Sequence, residues 1–404
     1  MKVTVIRAQG IDPSVTKLAK ALSKSGHDVK LLVWDKQSKS RERLTSKSNE
    51  YTTHRFNLRQ SYHRPGAFVR ALPIWWVFEF LFLLGDDSEV IHACDLDALI
   101  PAIPVKFLRK VKICYTIYDF FADTAGFNFP RAIRKIAALA EKIGIGFTEV
   151  LFLVDECRFQ QVKDAKIKRI VYTYNSPPDY LEPGSWETSS TCLTVFYAGT
   201  IEVYRGLEYM INAVKELNDV KLVIAGSGPD ENLVKKHIAP ENGAVQYIGY
   251  IPYERVIEME AASDILFAFY DIGCPNNKYA SPNKLFEAMM CKKPIIVNDE
   301  NNMADIVRRT NCGIVVPYGN VQAIKEAITK LKNDPLLRKK LGENGRKAYD
   351  EQFSWSIMEK RISFVYEQLR SSLNASPTPR LGKSDEKTLE VHDPVLKLKG
   401  LYQK

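Results

Sequence analysis

Short apolar runs alternate with stretches of helical period along most of this chain. Residues 3–7 (Val-Thr-Val-Ile-Arg) read as a strand, 13–25 as an amphipathic helix stopping at Gly26, and 29–34 as a second strand. A strand–helix–strand opening predicts a parallel sheet wound with helices. Further strands are expected at 90–93, 112–117, 150–154 and 169–173, while Lys-, Ser- and Arg-rich residues 36–50 read as a mobile loop. Prolines at 177, 178 and 183, Gly184 and a polar run to Thr191 mark a boundary. A second strand series follows at 193–197, 220–224, 245–248, 265–269, 294–297 and 313–316, again with helices between. Residues 339–369 read as mostly helical. From 371 the chain is rich in Ser, Pro, Lys and Asp and reads as disordered, although 395–402 has the apolar content to dock on protein or lipid. The expectation is an α/β protein of two doubly wound halves, with its ligand cleft between them at the carboxyl ends of the strands.

The 404 residues allow two full cores, and 45% hydrophobic with 26% charged residues fits a folded chain. Met-Lys-Val-Thr-Val-Ile opens as a strand and not as a secretory leader. The seven cysteines lack any C-x-x-C pair and fall mostly in apolar runs, so they read as buried thiols of a reducing compartment. The apolar stretch 68–84 is interrupted by Arg70, Pro73 and Glu79 and falls short of the roughly 20 apolar residues a spanning helix needs. It reads as a buried helix, with an interfacial helix presenting Trp75 and Trp76 as the alternative. A net charge of +9 suits an anionic partner: a nucleotide, an anionic bilayer or nucleic acid. No finger spacing, aromatic RNA platform or helix-turn-helix accompanies the charge, so nucleic acid is not expected.

The most informative chemistry lies in residues 281–297, Ser-Pro-Asn-Lys-Leu-Phe-Glu-Ala-Met-Met-Cys-Lys-Lys-Pro-Ile-Ile-Val. A polar loop enters a helix whose N-terminal N–H groups and dipole favour an anion. Lys284 adds a positive charge there, and Glu287, one turn in, is placed to accept hydrogen bonds from vicinal hydroxyls. Diphosphate plus ribose fits that pattern; an ordinary loop–helix–strand unit is the alternative. Gly199-Thr200, after the strand 193–197, lets backbone approach a phosphate, and Arg205 can reach diphosphate oxygens. Gly226 and Gly228 form a glycine turn after the next strand.

These motifs resemble the donor-nucleotide half of retaining GT-B glycosyltransferases, specifically the large fourth family (glycosyl transferases group 1), in its S-P-x-K-x-x-E subset. The resemblance extends over nearly all of residues 1–370 and is strongest over 193–300. It implies a GT-B fold with an N-terminal Rossmann-like acceptor domain (1–185) and a C-terminal Rossmann-like donor domain (190–350). A helix at 351–370 then crosses back, and a disordered tail occupies 371–404. By resemblance, Arg205 and Lys284 supply the two cationic phosphate contacts. Gly10, Gly199, Thr200, Gly226, Tyr250, Tyr279, Ser281, Asn283, Leu285 and Glu287 line the donor, with Tyr250 either stacking on the base or packing. The family's pattern of two glutamates separated by seven residues keeps its second member, Glu287. The first position is Tyr279, so sugar contacts must come from Tyr279, Ser281 or Asn283. Only one glycine, Gly10, follows the first strand, where the family often has two. Asp95 and Asp119 stand as cleft carboxylates, each with helix capping as its alternative. His92 falls on the acceptor side, as does Tyr118 in the place of a usual histidine.

The implied activity is transfer of a sugar from a UDP- or GDP-sugar to an acceptor hydroxyl with retention, in glycolipid, lipid-linked oligosaccharide or surface-polysaccharide synthesis. No metal or other cofactor is expected. Asp95-Leu-Asp97 has the D-x-D spacing of metal-dependent transferases but lies in the half away from the expected diphosphate. The expected partners are a nucleotide sugar, a glycan or lipid-linked acceptor and an anionic membrane surface, and the expected location is cytoplasmic, peripheral on the inner face of the membrane. Two other classes stay open: a nucleotide-sugar epimerase of the same fold, and a non-catalytic GT-B binding subunit.

Overall fold

The computed structural model describes residues 1–36, 45–58, 65–124, 129–181, 192–238 and 243–374, leaving aside the side chains of 65–69. The expected boundary stretch at 183–191, the loop residues 37–44 and the tail from 375 lie outside the described residues. The chain divides into two compact units. Of the described residues, unit 1 takes those within 1–122 and 130–173 and the segment 361–374; most of unit 2 lies within 174–360.

Unit 1 holds β1 Lys2–Arg7, β2 Asp28–Asp35, β3 Thr45–Lys47, β4 Thr52–Asn57, β5 Val90–Cys94, β6 Lys112–Ile117, β7 Val150–Leu153 and β8 Ile170–Tyr172. They form one sheet in the order β3-β4-β2-β1-β5-β6-β7-β8. Every pairing is parallel except β3 with β4. The β3 and β4 strands correct the sequence reading. Residues 45–47, expected in a loop, pair with Thr52–Asn57, a polar strand whose only fully buried side chain is Thr53. Helix Pro13–Lys24 starts where its sequence dictates. Pro13 takes a first-turn position, and the Asp12 carboxylate accepts from the N–H of Ser14 (2.8 Å) and Val15 (3.0 Å).

Helix Pro65–Gly85 buries one face in the core and exposes Ile74, Val77 and Leu81 on another, and its two tryptophans do not face out together. Trp75 is fully buried and stacks on Trp34 at 5.7 Å; Trp76 donates its indole N–H to the Asp97 carbonyl at 3.0 Å. Glu79 on the same helix is also fully buried, and burial pushes its carboxyl well above the ordinary range, so it is held neutral. Among the described residues no helix is long and apolar enough to cross a membrane.

The last described helix, Trp355–Asn374, contributes residues to both units. From 361 on it seals unit 1. The Arg361 guanidinium donates to the Tyr172 carbonyl (2.9 Å), Ser363 meets Ser25 (2.7 Å), and Tyr366 hydrogen-bonds His92 (2.6 Å).

Unit 2 holds β9 Leu193–Ala198, β10 Val220–Ala225, β11 Val245–Gly249, β12 Ile265–Ala268, β13 Ile295–Asn298 and β14 Gly313–Val316. All are parallel, in the order β11-β10-β9-β12-β13-β14. Alternate residues feed two cores, as a sheet buried on both faces requires. Phe196, Leu266 and Val297 pack with Phe286 of helix Asn283–Met290, while Val195, Phe267 and Ile296 pack on the opposite face with Met210 and Ile328. Burying Phe286 alone contributes roughly 1.5–3 kcal/mol. The order reverses direction between β9 and β12, and ligands of open α/β sheets bind beyond the carboxyl ends of the strands at such a reversal.

Candidate functional site

The carboxyl edge of the unit 2 sheet is built from glycines packed against one another. Gly199 follows β9, Gly226 follows β10 and Gly249 ends β11. The Gly199 N–H donates to Ala225 O (3.1 Å), and the Gly226 N–H donates to Gly249 O (2.7 Å). A Cβ on Gly226 would lie 1.8 Å from the Gly199 carbonyl oxygen, and Gly226 has φ +130°. Only glycine allows the two turns to touch.

Against this edge stand two cations. A Cβ on Gly199 would lie 2.5 Å from Lys284 Nζ, so the ammonium occupies the space that the missing side chain leaves. Lys284 Nζ also sits 4.8 Å from the centre of the Tyr197 ring. Burial opposes its charge and Arg205 repels it, yet the neighbouring Tyr197, Tyr270 and Glu287 raise its pKa, so the ammonium is kept. The Arg205 guanidinium lies 4.1 Å over the Tyr270 ring and 3.3 Å from Glu202. Tyr270 is itself fixed by Asn298, which accepts from its N–H (2.7 Å) and donates to its carbonyl (3.0 Å). Sequence reasoning did not find Asn298, because an asparagine ending an apolar strand carries no motif.

Helix Asn283–Met290 points its N-terminus into the same place and has no side-chain cap. Just before and at its start, the Ser281 hydroxyl and the Asn283 amide oxygen are buried with no hydrogen-bond partner among the described residues. Unmet buried polar atoms cost free energy unless a ligand satisfies them. Glu287 lies one turn in, 4% exposed, and accepts from the Tyr253 hydroxyl at 2.7 Å. Thr200 is exposed at the mouth, its carbonyl held by the Tyr197 hydroxyl (2.8 Å). Tyr279 caps the short helix Pro275–Lys278 through its N–H. Tyr250 is 77% exposed, so it does not pack in the core. The Leu285 side chain is fully buried in the core and its N–H bonds to Pro282 O (3.2 Å). Unit 2 therefore brings Gly199, Thr200, Arg205, Gly226, Ser281, Asn283, Lys284 and Glu287 to one sheet edge. In chemical terms this edge is an anion cradle with a hydroxyl acceptor beside it.

Unit 1 treats its expected residues differently. Asp95 follows β5 with φ +66° and is buried beside Arg7, the last residue of β1. The two form an ion pair across the order reversal of this sheet, and Asp95 also accepts from the N–H of Tyr118 (2.8 Å) and Asp119 (3.2 Å). Burial pushes its carboxyl up, against the pull of the guanidinium. Asp95 makes no side-chain cap to the helix Leu96–Arg109 that follows. It is thus neither a helix cap nor an open carboxylate: it ties the β6 turn to β1. Arg7 lies 4.5 Å over the Tyr118 ring and 3.0 Å from Asp12, and Gly10 turns next to them with φ +86°. Asp119 remains at the surface, 3.4 Å from Arg158. His92 corrects an expectation. Placed by sequence on the acceptor side, it is a core residue bonded through Nδ1 to Tyr366 and through Nε2 to Thr116, both at 2.6 Å. Burial lowers its pKa to about 3, so it stays neutral.

Residues 183–348, which hold the cradle, match the family model described as Glycosyl transferases group 1. The alpha-D-kanosaminyltransferase of Streptomyces kanamyceticus is 25% identical over 60% of this chain and 66% of its own length. A GDP-mannose-dependent monoacylated alpha-(1-6)-phosphatidylinositol monomannoside mannosyltransferase of Corynebacterium glutamicum is 26% identical over 40% of this chain and 43% of its own. The chain thus spans between two fifths and two thirds of these curated relatives. Among solved structures, sucrose-phosphate synthase of Thermosynechococcus elongatus superposes with a TM-score of 0.74 at 17% identity, covering 92% of this chain and 99% of that one. Anabaena HepE, solved with UDP and glucose, gives 0.69 at 14% over 92% and 100%. These likenesses establish the fold as the GT-B plan of two Rossmann-like α/β units.

Proposed function

We propose that unit 2 binds a nucleotide diphosphate sugar and that the protein transfers the sugar, with retention, to an acceptor hydroxyl. One observation carries the reading: two cations, Arg205 and Lys284, are held side by side at a glycine edge and an uncapped helix N-terminus, with a buried carboxylate one turn away. That spacing serves a diphosphate and the hydroxyls of its ribose. HepE was solved with UDP and the Corynebacterium relative uses GDP-mannose, so a UDP- or GDP-sugar is the donor class. In transfer, the departing diphosphate gains charge, and Arg205, Lys284 and the helix N–H groups are already aimed at it. One of its oxygens takes the acceptor proton. The side chains supply the positive charge, so this reading requires no metal. Calorimetry with UDP, GDP, ADP, CMP and dTDP tests it. One nucleoside diphosphate is expected to bind tightly, to be insensitive to chelator and to be lost in Glu287→Ala. Binding by none of them would overturn the reading.

The acceptor reading rests on a surface of unit 1. Helix Arg131–Ile145 leaves Ile133, Ile136, Leu139 and Ile143 exposed, Ile136 by 68%. Arg131 and Lys135 are exposed beside them. The helix's only acid, Glu141, is buried and hydrogen-bonded by Tyr115 (2.7 Å), so the outward face is apolar and basic. An anionic bilayer complements such a face. Ile74, Val77 and Leu81 of helix Pro65–Gly85 are exposed as well, so that helix keeps its interfacial reading through these residues and not through Trp75, and a lipid-linked acceptor is the substrate class that fits. Ile136→Glu with Leu139→Glu is expected to weaken binding to phosphatidylglycerol vesicles by about tenfold or more, from the apolar burial lost. Equal sedimentation of wild type and double variant would remove this reading.

A further inference from the structure

Arg205 stands on a short turn, Val203–Arg205, outside the unit 2 sheet, and Gly206 closes that turn with φ +58°. At its start the Asp230 carboxylate accepts from the Val203 N–H (2.8 Å). At its end three contacts come from residues 269–271. The Asp271 N–H donates to Tyr204 O (3.0 Å), a Cβ on Gly206 would lie 3.1 Å from Phe269 Cβ, and the guanidinium lies over the Tyr270 ring. Glu202 sits next to Val203 in the chain, so its ion pair with Arg205 moves with the turn and cannot register it against the sheet. Residues 269–271 have themselves passed the end of β12, whose last paired residue, Ala268, lies opposite Val297 of β13. One residue further along β13 is Asn298, fully buried. Its Oδ1 accepts from the Tyr270 N–H (2.7 Å), and its Nδ2 donates to Tyr270 O and to Asp299 O, both at 3.0 Å. A side-chain amide offers the same donor and acceptor as a peptide group, so Asn298 continues the ladder where the strand pairing stops. Aspartate would face two carbonyls with no donor, and alanine would leave buried backbone groups unmet.

We propose that Asn298 is a positioning residue for Arg205: by clamping the Tyr270 backbone it sets the ring and the neighbouring Asp271 N–H on which the arginine turn rests, and so aims the guanidinium at the diphosphate. The route is short. It runs from the Asn298 amide through the Tyr270 main chain to the ring, and from the ring to the guanidinium 4.1 Å away. Asn298 is neutral and buried beneath Tyr270, so its effect is one of geometry and not of charge. A displaced guanidinium still attracts a diphosphate in the ground state. It no longer stands where charge develops as the diphosphate departs, so the loss belongs in kcat and not in KM. The inference rests on the nucleotide-binding reading of Arg205, but the placement of the guanidinium can be tested without nucleotide.

Asn298→Ala is expected to lower kcat by about tenfold or more and to change KM for the donor by less than about threefold. The same substitution made in Arg205→Ala should cost less than about threefold, because the group it positions is gone. A general loss of stability would lower kcat equally in both backgrounds, so equal losses would overturn the proposal. Tyr270→Leu probes the second link and carries the test if Asn298→Ala does not fold. It keeps the main-chain clamp, removes the ring, and is expected to show the same dependence on Arg205; a loss independent of Arg205 would sink the idea. Phenylglyoxal, a dicarbonyl that adds to guanidinium groups, reads the placement with no nucleotide present. By mass spectrometry Arg205 is expected to react about threefold or more faster in Asn298→Ala than in wild type, with the exposed Arg255 as internal standard. Equal labelling of Arg205 in the two proteins would also overturn the proposal. If the labelling differs but wild type binds no nucleotide, the nucleotide reading fails while the placement of Arg205 by Asn298 stands.

Discussion

Lys284→Ala is expected to slow sugar transfer by about 10²–10³-fold, the usual cost of deleting one preorganised group aimed at developing charge. The ammonium is not a loose surface cation. It fills the space beside Gly199, lies near the Tyr197 ring and keeps its proton despite burial. The diphosphate carries more charge when it departs than when it is esterified to the sugar. Losing Lys284 therefore lowers kcat more than it raises KM for the donor. Arg205→Ala should act in the same direction. The double variant should cost less than the product of the two single losses, because both groups serve one leaving group. Steady-state kinetics with the donor found by calorimetry measure this. A fall in kcat of less than about threefold for Lys284→Ala would mean that the cation binds without stabilising the leaving group.

Gly226→Ala should have the largest effect on stability. Its new methyl carbon would be placed 1.8 Å from the Gly199 carbonyl oxygen, and that neighbour is backbone with nowhere to retreat. The residue also holds φ +130°, which L side chains rarely adopt. Strain and overpacking together are expected to cost roughly 2–5 kcal/mol. For a unit of this size that lowers the melting temperature on the order of 5–15 °C. The Gly199 turn would have to move, and Lys284 with it, so nucleotide binding should fall in the same variant. Calorimetric unfolding compared with wild type reads both effects. A melting temperature within about 2 °C of wild type would show that the two turns can separate, and that the close approach is not needed.

The strands that could be read in the sequence were those buried on both faces. Runs such as Val-Lys-Leu-Val-Ile in β10 and Gly-Ile-Val-Val in β14 are short, apolar and bounded by turns. The strand Thr52–Asn57 escaped because it reads Thr-Thr-His-Arg-Phe-Asn: its residues are mostly half-exposed beside an edge, so pattern gives it no apolar run. The cradle in unit 2 was legible because its parts are local. A glycine after a strand, a lysine in a helix's first turn and a glutamate one turn in are set by a few residues of sequence each. Pairings across long separations were not legible. His92 reads as an acceptor-side residue until Tyr366 meets its ring nitrogen, and Asp95 as a cleft acid until Arg7, 88 residues earlier, closes on it.

The bond between His92 and Tyr366 spans 274 residues of sequence. On a ribosome adding about 5–20 residues per second, roughly 14 to 55 s separate the synthesis of the two. During that time the β5 face beneath His92 lacks the helix that covers it, and all of residues 174–360 emerges in between. Unit 2 can therefore finish folding first although most of it is made second. The unit 1 sheet waits, partly uncovered, for residues 361–374. In such a chain the natural client of a chaperone is the half that emerges first.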